Sequence, residues 1–506
     1  MKILPVEKIH EADAYTIAHE PIAGIDLMER AATACFSWIA ENLNEKRKVY
    51  VFAGSGNNGG DGLAIARMLQ QKHFPVEVYL IGSEETLTPS CRTNLDRFRN
   101  IARKNFRFLK EGDPMPVIHP GDAMIDSLFG SGLSRSAGGF AAGVIRYIND
   151  CQALTISIDI PSGLFCDSSY KTAENPAIIA ADYTLSFSPP KLALFFPEND
   201  VYLGKWKLLD IGLSREFIDM TSVKNYLLES QMLATRIKKR NKFDHKGTFG
   251  HALLICGGYG KMGAAVLSSR AALRSGAGLV TVHAPSIGMT VLQSSVPEAM
   301  MSIDSNEKVI SMIPDLSPYT AIGTGCGLGM GEQTQKAIKL LIQEARQPIV
   351  FDADAINIIA ENKTWLGFLP KHCIFTPHPG EFQRLTGKHR DDYHRVQLQR
   401  EFSFRHQAYV VLKGANTAIT TPEGECYFNS TGNPGMATGG SGDVLTGMIT
   451  GLKAQGYTSL DACILGVFLH GRAGDLACSE TGEEALVAGD IIKNIGKAFQ
   501  TLYGKF

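Results

Sequence analysis

Short glycine-rich clusters that each carry one carboxylate stand out first. Thr438-Gly-Gly-Ser-Gly-Asp-Val-Leu-Thr-Gly447 opens a helix-period segment. The backbone N–H groups of such a turn, here Gly439, Gly440, Ser441 and Gly442, form a cradle for an anion, and the dipole of the following helix adds to it. Asp443 sits within the cradle. A carboxylate beside a phosphate is unfavourable unless it has chemical work, such as accepting a hydroxyl proton; the competing role is a helix N-cap. Upstream, Lys413-Gly-Ala-Asn-Thr417 follows a strand. It is suited to present Lys413 to phosphates, and the backbone amides from Gly414 through Ala415 and Asn416 to Thr417 to an adenosine. The convergence of these groups points to phosphoryl transfer. Gly323-Thr-Gly-Cys-Gly-Leu-Gly329, Asp352-Ala-Asp-Ala-Ile-Asn357 and Thr376-Pro-His-Pro-Gly-Glu381 fall at further strand ends. His378, flanked by prolines, is held extended. With no second His or Cys at ligand spacing it is not a metal site, and a local hydrogen bond is its ordinary role.

The first part of the chain carries a second set. Gly54-Ser-Gly-Asn-Asn-Gly-Gly-Asp-Gly62 contains G-x-G-x-x-G between a strand and a helix expected to start near Asp61. A dinucleotide-dehydrogenase loop fits badly. The next strand ends Tyr-Leu-Ile-Gly82, with no acid for a ribose hydroxyl, and Asp61 would face the pyrophosphate. There is no Lys-Ser/Thr pair, so it is not a Walker A loop either. Asp126 precedes Phe-Gly-Ser-Gly132, Asp159 precedes Ile-Pro-Ser-Gly163, and Lys191 follows Ser188-Pro-Pro. In an open parallel sheet, ligands sit beyond the carboxyl ends of the strands. Asn58, Asp126 and Ser162 offer hard oxygens of low total charge, which suits a weakly held cation better than zinc. For Asp126 alone, capping a turn competes.

These residues need a scaffold, and short apolar runs alternate with helix-period segments, the βα pattern of parallel sheets. Strands are expected at Val49–Ala53, Val76–Ile81, Ala123–Ser127, Leu154–Ile158 and Tyr183–Phe187. A second series covers His251–Cys256, Leu279–His283, Thr320–Gly323, Ile349–Asp352, Cys373–Thr376 and Tyr409–Lys413, then a hairpin of Thr417–Thr421 and Glu425–Asn429. The polar stretch Ile211–Asn241, with its basic run from Arg236 to Lys242, reads as a linker, placing a boundary near 215–240. The fold class is α/β in two domains: a Rossmann-like three-layer α/β/α domain over 1–215 and a second α/β domain over 225–506.

Composition narrows the partners. The 506 residues are 44% hydrophobic and 20% charged, enough for buried cores, and the formal net charge is −1. Nucleic acid and anionic membranes are therefore poor partners. The 51 glycines exceed the usual share of roughly 7% and cluster in the loops above. The ten cysteines include no CxxC and read as reduced thiols of a cytoplasmic protein. Neither a signal peptide nor a membrane span is expected.

Asn57-Asn-Gly-Gly-Asp-Gly62, Asp126-Ser-Leu-Phe-Gly-Ser-Gly132, Asp159-Ile-Pro-Ser-Gly163 and Gly24-Ile-Asp-Leu-Met-Glu29 together resemble the NAD(P)H-hydrate epimerases over about the first 210 residues. Lys246-Gly-Thr-Phe-Gly-His251, Ala271–Val280, Thr376–Glu381 and Asn433–Asp443 resemble the ADP-dependent NAD(P)H-hydrate dehydratases of ribokinase-like fold, from about 225 onward. Cys326 stands where that family usually has Pro.

The resemblance implies a potassium ion on Asn58, Asp126 and Ser162. It implies hydrate binding by Asn57, Asn58, Gly59, Gly60 and Asp61, by Gly130, Ser131, Gly132, Leu133, Ser134 and Arg135, and by Asp159. Epimerisation at the hydrated C6 needs opening or proton exchange at that carbon, and an acid and a base on opposite sides, assigned to Asp159 and Lys191, would serve. In the second domain the resemblance adds Ala264, Gly327 and His378 to the binding residues, Asp443 as base, and ADP with magnesium. The expected substrates are NADHX and NADPHX, and a homo-oligomer is expected. A vitamin or sugar kinase with an accessory ligand-binding domain competes, as does a non-catalytic first domain.

Overall fold

The computed structural model describes residues 1–172 and 174–503. The chain divides into two compact units, residues 2–223 with 391–393, and Met1 with 224–390 and everything from His394 on.

In the first unit, strands β1 (Val49–Ala53), β2 (Val76–Ile81), β3 (Phe106–Leu109), β4 (Ala123–Ser127), β5 (Leu154–Ile158), β6 (Tyr183–Phe187) and β7 (Lys205–Leu209) form one sheet, ordered β3-β2-β1-β4-β5-β6-β7. Every pairing is parallel. Such a sheet needs helices on both faces, and β1 shows why. Val49, Val51 and Ala53 point into a cluster with Leu63, Leu69, Leu95 and Phe98. Tyr50 and Phe52 point the other way, against Ile145 and Ile148. Each large side chain so buried is worth about 1.5–3 kcal/mol. Strand order reverses between β1 and β4, so a crevice opens beyond their carboxyl ends.

In the second unit, β8 (Asn225–Leu227), β9 (His251–Ile255), β10 (Leu279–Pro285), β11 (Met300–Asp304), β12 (Ala321–Thr324), β13 (Ile349–Phe351), β14 (Ile374–Phe375), β15 (Tyr409–Leu412), β16 (Thr417–Thr420) and β17 (Cys426–Asn429) are ordered β11-β10-β9-β12-β13-β14-β15-β16-β17-β8. Only the pairings of β16, with β15 and with β17, are antiparallel. The helix Ser441–Ala454 is buried nearly all round. It lies hard against the helix Met262–Arg274: a Cβ on Gly447 would stand 2.1 Å from the Ser268 carbonyl oxygen. Order reverses again between β9 and β12.

Four strands were not anticipated: β3, β7, β8 and β11. The stretch read as a linker holds the helix Arg215–Met220, β8 and the helix Ser230–Ala234. The helix expected near Asp61 begins four residues earlier, at Asn57.

Candidate active sites

In the first unit, β1 feeds the loop Gly54–Gly56 and the helix Asn57–Gln71. The turn is tight enough that a Cβ on Gly59 would meet the Gly54 carbonyl oxygen at 1.8 Å, so a side chain there is excluded. This closeness sinks Asn58 and Asp61 into the crevice, each only 8% exposed. A cavity of about 460 Å³ results. Its walls include Asn57, Asn58, Asp61, Gly130 to Leu133, Asp159 and Lys191, but not Gly59 or Gly60. Ser134 and Arg135 are exposed and lie outside the lining. His10 and Asp13, from the helix Val6–His19, also line it and were missed. The only sequence signal for them is an acid and a histidine at helical spacing.

Asp159 has φ +68, a conformation costing a non-glycine residue about 1–3 kcal/mol and kept mostly at functional sites. One carboxylate oxygen accepts from the Ser131 N–H at 3.0 Å, and the other is 2.5 Å from the Lys191 ammonium. Lys191 is buried, and its Nζ also donates to the Phe187 carbonyl at 2.9 Å. Burial pushes the Asp159 carboxyl up, but Lys191 and Ser131 outweigh it, and the net shift is below the ordinary value. Because Asp159 and Lys191 touch, they form one ion pair on one wall rather than groups flanking a substrate carbon from two sides. Among the described residues Asp61 has no such partner; burial and the charges of Asp159 and Asp13 hold its carboxyl well above the ordinary value.

Asp126 is fully buried. Oδ2 accepts from Ser157 Oγ at 2.7 Å and the Ser162 N–H at 2.9 Å, and Oδ1 from Ser162 Oγ at 2.5 Å and the Leu128 N–H at 3.3 Å. Burial nevertheless raises its carboxyl, against those hydrogen bonds. Among the described residues the Asn58 amide oxygen and nitrogen are buried with no hydrogen-bond partner. A buried carboxylate, a serine and an orphaned amide oxygen are a donor set that fits a large monovalent cation. Among the described residues no group of three or more His, Cys, Asp or Glu is placed to hold a metal ion.

In the second unit, Gly440 takes φ +90 and turns the chain into the helix Ser441–Ala454. The Ser441 N–H donates to the Thr438 carbonyl at 3.4 Å, and those of Gly442 and Asp443, which a helix leaves without an internal partner, can face an anion. Lys413, just past β15, places Nζ 2.6 Å from Asp352 Oδ1 and 4.0 Å from Glu381 Oε2. Burial lowers the Lys413 pKa, Asp352 and Glu381 raise it, and the rise wins. Thr446 Oγ1 donates to the other Asp352 oxygen at 2.7 Å. A Cβ on Gly442 would come within 3.4 Å of Lys413 Nζ, so the ammonium stands at the turn itself.

Asp443 is pushed up to about 6. Burial is the main cause; the Cys326 thiol opposes it, Asp352 adds to it, and Lys413 opposes it. A cavity of about 500 Å³ is lined by Lys413 to Thr417, Asn429 to Pro434, Ser441, Gly442 and His470. Asp443 is not among its lining residues, nor are Gly439, Gly440, Ala264, Gly327 and His378. Gly327 and Ala264 adjoin one another elsewhere: a Cβ on Gly327 would be 3.2 Å from that of Ala264. His378 caps the helix Pro379–Thr386, Nδ1 accepting from the Gly380 N–H at 3.1 Å and Nε2 lying 3.2 Å from Glu381 Oε1. His470 was missed; its Nε2 donates to the Ser441 carbonyl at 3.0 Å, bracing the anion turn from the helix Ser459–Thr481.

Two α/β units, each with a cavity beyond strand ends, the buried Asp159 lining the first and the half-buried Asp443 adjoining the second, define a two-site enzyme. The family model described as YjeF-related protein N-terminus matches residues 24–193, and that described as NAD(P)H-hydrate dehydratase matches 252–497. A bifunctional NAD(P)H-hydrate repair enzyme of Moorella thermoacetica is 33% identical over 511 residues, covering 97% of this chain and 95% of the relative. One from Coxiella burnetii is 33% identical over 482 residues, covering 94% of each. A crystal structure of an ADP/ATP-dependent NAD(P)H-hydrate dehydratase from Bacillus subtilis, co-crystallised with ATP and Mg²⁺, is 28% identical. It covers 55% of this chain and 98% of that one, with a TM-score of 0.48. The chain belongs to the bifunctional NAD(P)H-hydrate repair enzyme family. No helix among the described residues is long and apolar enough to cross a membrane.

Proposed function

We propose that this chain repairs hydrated NADH and NADPH, the first unit interconverting the R and S hydrates and the second returning the S hydrate to the coenzyme while ADP becomes AMP and phosphate. Membership of the family over nearly the whole chain carries this reading. In the first cavity, the loops Asn57–Asp61 and Gly130–Arg135 hold the hydrate, and the Asp159–Lys191 pair moves a proton at the oxygen on C6. Asn58, Asp126 and Ser162 would hold potassium, which supplies positive charge against the carboxylates and the substrate phosphates.

In the second unit, Gly439 to Gly442 and Lys413 cradle the phosphates, and Gly414 to Thr417 line the place of the adenosine. Asp443 accepts the proton of the hydrate hydroxyl as that oxygen attacks the terminal phosphoryl of ADP, releasing AMP. The phosphorylated oxygen is a better leaving group; loss of phosphate with a proton from the neighbouring carbon restores the dihydropyridine. Magnesium, when bound, neutralises phosphate charge, and Asp352 and Asp354 are oxygen donors of the kind it takes. The two activities and the ADP requirement are tested together by incubating the protein with mixed hydrates, with and without ADP. Absorbance of the reduced nicotinamide should rise only with ADP, and to full conversion of both epimers. A stable phosphoester in its place would favour a vitamin or sugar kinase.

A further inference from the structure

Inverting a carbon calls for proton-transfer groups that reach both of its faces, and Asp159 and Lys191 meet at 2.5 Å as a single unit. A second group stands in the same cavity. The helix Val6–His19 forms one of its walls and presents Ile9, His10 and Asp13. This helix lies outside the family match, which begins at residue 24. Asp13 is half-buried, and burial and neighbouring charges, not hydrogen bonds, act on its carboxyl.

We propose that Asp13 is the second proton-transfer group of the epimerisation, acting from the wall formed by the helix Val6–His19 while the Asp159–Lys191 pair acts from its own. The inference rests on the epimerase reading above. In the step it serves, the C6–O bond breaks, the ring nitrogen lone pair forms the C6=N bond, and the departing oxygen takes a proton from the Lys191 ammonium to leave as water. A water then adds to the opposite face, its oxygen lone pair forming the new C6–O bond as the C6=N pair returns to nitrogen. Its proton passes to the Asp13 carboxylate. One water leaves, one enters, and nothing is oxidised or reduced; the reverse direction exchanges the two roles.

The groups facing Asp13 set when it can work. Burial pushes its carboxyl up to about 6; His10 on its own helix and Lys191 oppose this, and Asp159 adds to it. Asp61, from the helix Asn57–Gln71, is a further carboxyl that interacts with it. The ionised carboxylate is the active form, so exchange should fall as pH drops through about 6.

The test follows R-to-S exchange of hydrated NADH by full-length protein without ADP, from pH 5 to 8, for wild type, Asp13→Asn and Asp13→Glu. Asp13→Asn should slow exchange by roughly 10²–10⁴-fold and abolish the acid limb. Asp13→Glu, which keeps a titrating carboxyl, should restore a limb and part of the rate, separating proton transfer from a folding defect. Exchange by Asp13→Asn within about threefold of wild type, or a limb unchanged in that variant, overturns the inference alone. Likewise, a Glu variant as inactive as the Asn variant makes Asp13 structural and overturns it. Absence of exchange in the wild type would fell the epimerase reading together with it.

Discussion

Asp159 lines the cavity at the first unit's strand-order reversal and Asp443 directly follows the Gly442 that lines the second unit's cavity, yet their surroundings drive them apart. Asp159 has Lys191 at 2.5 Å and stays ionised below the ordinary carboxylate range. Near Asp443 the available ammonium, Lys413, is 2.6 Å from Asp352 instead, and burial leaves Asp443 poised at about 6. Whether a buried acid is a permanent charge or a proton acceptor at neutral pH depends on which neighbour the cation is given to.

The strongest way to break this contrast is Asp443→Asn. It should lower dehydration by roughly 10²–10⁴-fold and leave epimer exchange intact, measured on separated hydrates. Retention of more than about a tenth of the dehydration rate would remove Asp443 from the base role. The same change should raise thermal stability at neutral pH. An acid raised in the folded state costs stability above about pH 6 and none below the unfolded value, so stability contributed there falls as pH rises between the two.

Lys191→Met attacks the other side of the comparison. It strands the Asp159 charge in a buried wall, at a cost of about 3–5 kcal/mol in denaturant unfolding. The double change Asp159→Asn with Lys191→Met should recover much of that loss while epimer exchange stays lost. For a depressed carboxylate the sign reverses: the wild-type pair stabilises at neutral pH, and that contribution goes as pH falls through the lowered pKa.

Asp126→Ala sharpens the contrast by asking whether the first cavity needs a cation of its own. Epimer exchange should fall by roughly an order of magnitude, as expected for losing hydrogen bonds to a charged acceptor. It should also cease to distinguish potassium from sodium. Normal turnover and an unchanged potassium response would reduce Asp126 to a cap. Smallest is a pH effect on the unmodified protein. Dehydration of the S hydrate should drop by about tenfold at pH 5 relative to pH 7, as Asp443 protonates around 6.

Much of this was legible in the sequence. Strands β1, β2, β4, β5 and β6 coincide with the expected runs, because strands buried on both faces are predominantly apolar, with only single small or polar residues such as Asp126 or Ser157 between. The four missed strands lie at sheet edges: β3 reads Phe-Arg-Phe-Leu and β7 Lys-Trp-Lys-Leu-Leu, with polar residues on one solvated side. The helix start at Asn57 was displaced because Gly59, Gly60 and Gly62 argue locally against a helix, whereas close packing demands them. Among site residues, the loops were visible as motifs. The burial of Lys191, its contact with Asp159 and the arrival of Asp13 from a distant helix were not, since these depend on which loops the fold brings together.

The strand β8 carries a practical consequence. Asn225–Leu227 pairs with β17 and closes that side of the ten-stranded sheet, yet it lies ahead of the segment 252–497 by which the dehydratase family is recognised. A fragment cut to that segment would bare the hydrogen-bonding groups of Cys426–Phe428 as a ready template for another chain. Its first failure would be self-association through that exposed border, ahead of any loss of catalytic groups.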